Sequence, residues 1–236
     1  MLIGGLEKLS LIDYPDHLAA IVFTQGCNFR CQFCYNPMLV LPNGKKGIVQ
    51  KDHLIPEKDL FAFLLSRVSK LDGVVITGGE PTLHQDLPEF IIKIRKLGYK
   101  IKLDTNGTNP EMVKDLLDEQ LLDYLAMDFK APKEKYELVV GVPIDFSKIA
   151  KSVKIIKASN LPHEFRTTIA PNLLNQADIL VMAEFLAGDS RWYLQEFQSD
   201  KELVNEALEG SPMYTRRDLQ EMADAARKYV KNCRVR

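Results

Sequence analysis

Leu18-Ala19-Ala20-Ile21-Val22-Phe23-Thr24 runs without a break into Gln25-Gly26-Cys27-Asn28-Phe29-Arg30-Cys31-Gln32-Phe33-Cys34-Tyr35-Asn36-Pro37, a short apolar strand against a cysteine-rich loop. The same arrangement recurs along the chain. Pattern and turn chemistry predict strands at 18–24, 73–77, 99–104, 124–129, 164–170 and 191–197. Helices are predicted at 55–71, 86–97, from 110 onward, 146–158, 177–186 and 215–230. Pro56 suits a first helical turn, and Leu87, Phe90, Ile91, Ile94 and Leu97 share one helical face that Gly98 can cap. Alternating strands and helices imply right-handed crossovers and a mostly parallel sheet. Six strands fall short of a closed eight-stranded barrel, so the expected fold is α/β, an incomplete (β/α)6 barrel of parallel strands with outer helices. A flat doubly wound sheet stays open as the alternative, because strand order cannot be read from the pattern.

The unusual polar and glycine-rich residues fall immediately after these strands: the cysteine loop, Gly78-Gly79-Glu80, Asp104-Thr105-Asn106, Asp128 to Lys130, and Gln195. In a parallel α/β fold all of those points lie at one end of the sheet, where active sites are built.

The chain has 236 residues, 46% hydrophobic and 27% charged, which fits one domain spanning 1–236, although length alone also permits two small ones. Formal net charge is -1, which gives no reason to expect a nucleic-acid partner or an acidic membrane surface. The last turns are locally basic, a pattern read as a solvated helix face. No apolar leader and no membrane-length apolar run is visible, so a cytoplasmic location is expected.

Of the four cysteines, Cys27, Cys31 and Cys34 are spaced C-x₃-C-x₂-C, and Cys233 stands far away. Thiols this crowded cannot staple distant loops, and in a chain without a secretory signal they point to metal. Iron–sulfur clusters take thiolate ligands, four when fully protein-bound; three leave one iron open to a small molecule. A zinc site completed by His17 or His53, and Cys233 as a fourth ligand, remain alternatives.

With the aromatic Phe33 just before the third cysteine, the loop resembles the signature of the radical S-adenosylmethionine family. The resemblance implies one [4Fe–4S] cluster on Cys27, Cys31 and Cys34, and reductive cleavage of S-adenosylmethionine to methionine and a 5′-deoxyadenosyl radical. It also implies that Gly78, Gly79 and Glu80 hold the methionine ammonium through backbone and carboxylate. Asp104, Thr105, Asp128 and Lys130 would line the cofactor and substrate end, with Lys130 counted as catalytic, and Arg166 would contact the cofactor. Phe33 and Tyr35 fall beside the cofactor; many relatives carry His at the place of Tyr35.

Ser10-Leu11-Ile12-Asp13-Tyr14-Pro15 and 21–27 are similar to glycyl-radical-enzyme activating enzymes, most of all to anaerobic ribonucleoside-triphosphate reductase activating proteins. That likeness implies a large glycyl-radical enzyme as partner and flavodoxin or ferredoxin as electron donor. The alternative is a radical enzyme acting on a small molecule such as a deazapurine precursor. With Cys233 alone left over, a single cluster is expected.

Overall fold

The computed structural model describes residues 1–40 and 54–236. Its frame is a sheet of strands β1 (Ile3–Ser10), β2 (Ala19–Thr24), β3 (Gly73–Gly78), β4 (Lys100–Thr105), β5 (Tyr124–Asp128), β6 (His163–Ile169), β7 (Gly188–Glu196) and β8 (Val230–Val235). Each strand lies beside its predecessor. β2 to β8 are parallel, and β1 pairs antiparallel with β2. A doubly wound sheet needs a reversal of strand order, and the described sheet has none. It ends at β1 and β8, which do not pair with each other, so the barrel is open.

The helices are α1 (Pro37–Val40), α2 (Glu57–Arg67), α3 (Leu87–Arg95), α4 (Pro110–Asp118), α5 (Tyr136–Val140), α6 (Phe146–Ala158), α7 (Gln176–Leu186) and α8 (Arg216–Ala226). Side chains set the helix starts. Asn109 and Asp145 accept the Met112 and Ser147 amides, and Asn175–Asp178 and Thr215–Asp218 form reciprocal capping boxes.

Strand alternation divides the core in two. Val22, Ile76, Leu103, Met127, Phe165, Trp192 and Leu194 join helix residues such as Leu64, Ile94 and Ile156 in the large outer core. Tyr14, Ala19, Ile21, Val75 and Tyr124 form a small second cluster on the concave face. The same face also carries the charged residues Lys102, Asp104, Asp128 and Arg166.

Two strands lie outside the predicted six. β1 contains Gly4 and Gly5 and is interrupted by two register shifts, so its sequence carries little strand signal. β8 occupies the end of the predicted helix 215–230 and the tail beyond it. α8 stops at Ala226, and Val230 then pairs beside Gly188. What makes β8 a strand is the open edge of β7, which a local pattern does not contain.

His17 lies just before β2, at the end of the sheet opposite the cysteine loop, against Tyr14 and Lys100. It is therefore far from the thiols along the strand axis. His53 lies outside the described residues. Cys233 is fully buried in β8 beside Trp192, within the outer core.

Candidate active site

The cysteine loop leaves β2 and is clamped from both sides. Arg30 and Gln32 donate their amides to the carbonyls of Val140 and Val139, at 2.8 and 3.1 Å. On the other side, Val204 and Asn205 donate theirs to the carbonyls of Cys34 and Gln32, at 3.3 and 3.0 Å. The Arg30 guanidinium holds the Cys27 and Phe29 carbonyls, both at 2.7 Å. Phe29 and Phe33 are buried and anchor the loop apolarly. Gly141 adopts φ +70 where a Cβ would strike the Arg30 carbonyl, so the chain there requires glycine.

All three thiols are free; Cys31 is buried, and Cys27 and Cys34 are partly so. Burial pushes Cys27 up to about 11 and Cys31 up to about 12, and it raises Cys34 as well. Such thiols stay protonated unless a cation compensates the thiolate, and Lys130 pulls all three in the opposite direction. Among the described residues no three Cys, His, Asp or Glu side chains converge on the position of a single metal ion. Three thiols on one loop are the donor type that an iron–sulfur cluster takes. The Phe29 and Asn36 amides donate to the Cys27 and Cys34 sulfurs, at 3.3 and 3.4 Å, as hydrogen bonds to a cluster's ligands do.

The Gly78-Gly79-Glu80 turn packs on this loop rather than standing apart from it. Gly79 donates its amide to the Thr24 carbonyl and Glu80 to the Gly26 carbonyl, at 2.9 and 2.8 Å. A Cβ on Gly79 would lie 1.8 Å from the Gly26 carbonyl oxygen. The close backbone approach that two glycines suggest is therefore made first to the cysteine loop. Gly78, at φ +108, is also close-packed, with a Cβ there falling 2.5 Å from the Thr24 amide nitrogen. Gly79→Val is accordingly expected to cut iron content by at least half after anaerobic reconstitution. An iron count equal to wild type in a folded variant contradicts that reading.

Glu80 is buried, and its carboxylate is satisfied within the protein. Oε1 accepts from the Thr82 amide and hydroxyl and from the Thr105 hydroxyl, at 3.1, 2.5 and 2.7 Å; Oε2 accepts from the Asn106 amide at 2.6 Å. Burial raises its pKa against those bonds. These bonds tie the turns after β3 and β4 together and fix the carboxylate beside the cysteine loop.

Further round the sheet, charges alternate along one line. Lys102 pairs with Asp104, Asp104 with Arg166 at 2.9 Å, Arg166 with Asp128 at 2.9 Å, and Asp128 with Lys130 at 2.8 Å. The Lys130 ammonium also lies 5.7 Å from the centre of the Phe33 ring, which links this ladder to the cysteine loop. Burial works against charge on every member that titrates abnormally. Arg166 and then Lys130 nevertheless hold Asp128 well below the usual carboxylate range, and Arg166 and Lys102 lower Asp104. Asp128 and Cys31 raise Lys130.

Tyr35 sits at the rim, half-exposed, and its hydroxyl accepts the Gln198 amide at 2.9 Å. Thr105 is buried beneath Glu80. His84 bonds the Gln25 carbonyl at 3.1 Å, a structural contact.

Two residues without an assigned role now join the site. Asn106 approaches the Cys27 sulfur through Nδ2 at 3.9 Å and bonds Asn28 at 2.9 Å. Its place in the Asp-Thr-Asn-Gly turn was the available signal. Lys102 is fully buried under Asp104. A lysine two residues before an aspartate on a strand shares its face, which was legible from spacing alone.

Residues 21–186 match the model of the radical SAM superfamily. The chain belongs to the radical SAM superfamily. It is 33% identical over its full length, and over 95% of the relative, to a Methanocaldococcus jannaschii protein named as a glycyl-radical enzyme activating enzyme. A Saccharolobus islandicus protein named as a GTP 3′,8-cyclase is 30% identical over 57% of this chain and 41% of that protein. In fold, the chain resembles a domain of pyruvate-formate lyase-activating enzyme from Bacteroides vulgatus. The TM-score is 0.53, with 17% identity over 70% of this chain and 99% of that one. This radical SAM enzyme thus has relatives named as activases, on an open α/β barrel. None of its described helices is long and apolar enough to cross a membrane.

Proposed function

We propose that residues 1–236 act as one domain that activates a glycyl-radical enzyme. The observation that carries this reading is the meeting of three thiols, the glycine turn and the charge ladder at one rim of a sheet left open between β1 and β8. An open side suits a polypeptide loop, and the full-length similarity to a protein named as an activating enzyme supports the same choice. Cys27, Cys31 and Cys34 would hold one [4Fe–4S] cluster, with Phe33 anchoring their loop. Gly78, Gly79 and Glu80 would hold the methionine ammonium of S-adenosylmethionine, and Asp104, Thr105, Asp128, Lys130 and Arg166 would line its site. Tyr35 would close the rim. Held by these residues, a reduced cluster would supply the electron for reductive cleavage of S-adenosylmethionine to methionine and a 5′-deoxyadenosyl radical.

The partner is a large glycyl-radical enzyme, with anaerobic ribonucleoside-triphosphate reductase the first candidate. Flavodoxin or ferredoxin would be the electron donor, and the setting cytoplasmic. The partial likeness to a protein named as a GTP cyclase supports a second reading, chemistry on a small molecule.

Electron paramagnetic resonance on a mixture with the candidate partner, S-adenosylmethionine and reductant tests the first reading. A glycine-centred doublet that disappears in Cys31→Ala is expected. Cofactor cleavage without a radical on any partner, together with consumption of a small metabolite, would establish the second.

A further inference from the structure

The helix-facing side of the last two strands is occupied by Trp192, Leu194 and Cys233, all fully buried in the outer core. Alternation therefore turns Arg191, Tyr193 and Gln195 of β7, and Asn232 and Arg234 of β8, toward the concavity. Register then places them. Asp128 is paired laterally with Arg166, Arg166 with Tyr193, and Tyr193 with Arg234. The row that starts at the cofactor end of the ladder thus ends at Arg234. Three strand spacings of about 4.8 Å put the two ends about 14 Å apart. One row lower, Glu164 is paired with Arg191.

This wall is unevenly charged. Among the described side chains of β5 to β8, the concave face carries Arg166, Arg191, Arg234 and Arg236 against Asp128 and Glu164. The two carboxylates are already engaged. Asp128 lies between Arg166 and Lys130, at 2.9 and 2.8 Å. Glu164 accepts from the Tyr124 hydroxyl at 2.8 Å and from Arg236 at 3.1 Å, while the Arg236 guanidinium stacks 3.9 Å from the centre of the Tyr193 ring. Arg191 bonds the Tyr124 hydroxyl rather than a carboxylate of its own. Arg234 is exposed and pairs with no carboxylate of the described residues. A chain of net charge -1 thus concentrates surplus arginine on the face that the open side exposes.

We infer that Arg234, with Arg191 below it, binds an anionic group of the substrate and so fixes which substrate reaches the cofactor end. Arginine suits this because its planar fork takes carboxylate or phosphate through two bonds. The inference deepens the activase reading: in that setting the anion is an acidic side chain close to the target glycine. If the substrate is a small molecule instead, the same fork holds its phosphate or carboxylate.

The test is calorimetric titration of the reconstituted enzyme with three probes: a glycine-centred peptide flanked by Glu, its Gln counterpart, and inorganic tripolyphosphate. At least one anionic probe is expected to bind tenfold or more tightly than the Gln peptide, and less tightly as salt rises. Arg234→Gln combined with Arg191→Gln should erase that preference, while Arg234→Lys should retain part of it, which separates charge recognition from misfolding. Binding of the Glu peptide assigns the site to a protein substrate, and binding of tripolyphosphate alone assigns it to a phosphate-bearing one. No preference in the wild type, or a preference unchanged in the double variant, overturns the inference. Failure of the glycyl-radical measurement alone would remove the activase reading and leave this site standing.

Discussion

Replacing Cys31 by Ala is expected to abolish cluster binding, with iron falling to background after anaerobic reconstitution and S-adenosylmethionine cleavage lost with it. Cys27→Ala and Cys34→Ala should do the same, since all three thiols lie on one loop held by backbone bonds to 139–140 and 204–205. Cys233→Ala should leave the iron count at the wild-type value. Its thiol is buried against Trp192 in the outer core, on the far face of β8 from the concavity. Its loss should appear as stability, about 1 kcal/mol for one small buried group. Equal iron loss in Cys233→Ala and Cys31→Ala would reverse this assignment.

Arg166→Met is expected to be the most damaging change outside the cysteine loop. It leaves Asp104 and Asp128 buried without their shared guanidinium, and breaking a buried ion pair from one side costs about 3–5 kcal/mol. The pH dependence should change with it. Arg166 and Lys130 depress the folded-state pKa of Asp128, and Arg166 and Lys102 that of Asp104, against the opposing effect of burial. A depressed carboxylate contributes stability that is present above its unfolded pKa of about 3.9 and lost as pH falls through the lower folded value. The wild type should therefore keep this contribution at pH 5 and lose it progressively below about pH 4. In Arg166→Met the depression shrinks, so stability at neutral pH drops and the acid-side loss flattens. Urea unfolding across pH 3 to 8 reads both effects. An unchanged midpoint at pH 7 would show that the ladder is a surface-like pairing with little weight.

The ladder also bears on how charge is placed for function. Three cations and two carboxylates alternate from Lys102 to Lys130, ending over Phe33 in the cysteine loop. Its net positive charge lies next to buried thiols whose own ionisation is suppressed by burial. Lys130 is thus the natural counter-charge for whatever negative charge that loop carries when loaded, which fits its proposed role.

The local sequence by itself determined the parallel α/β class, the position of the polar turns at one end of the sheet, and the three-thiol loop. Those features rest on short-range rules: a period of two in strands, 3.6 in helices, and turn residues where chain direction changes. Helix 146–158 appears in the structure with the predicted ends, because Asp145 supplies a local cap. The tertiary structure alone decided three other matters. It made strands of 3–10 and 230–235 by offering them the edges of β2 and β7. Glu80 acquired Thr105 and Asn106 as partners once β4 brought them within reach. Gly79 was set against the backbone of Gly26. Each of these depends on which atoms lie across a strand boundary. Residues well separated in sequence meet there through register, and no local periodicity encodes that meeting.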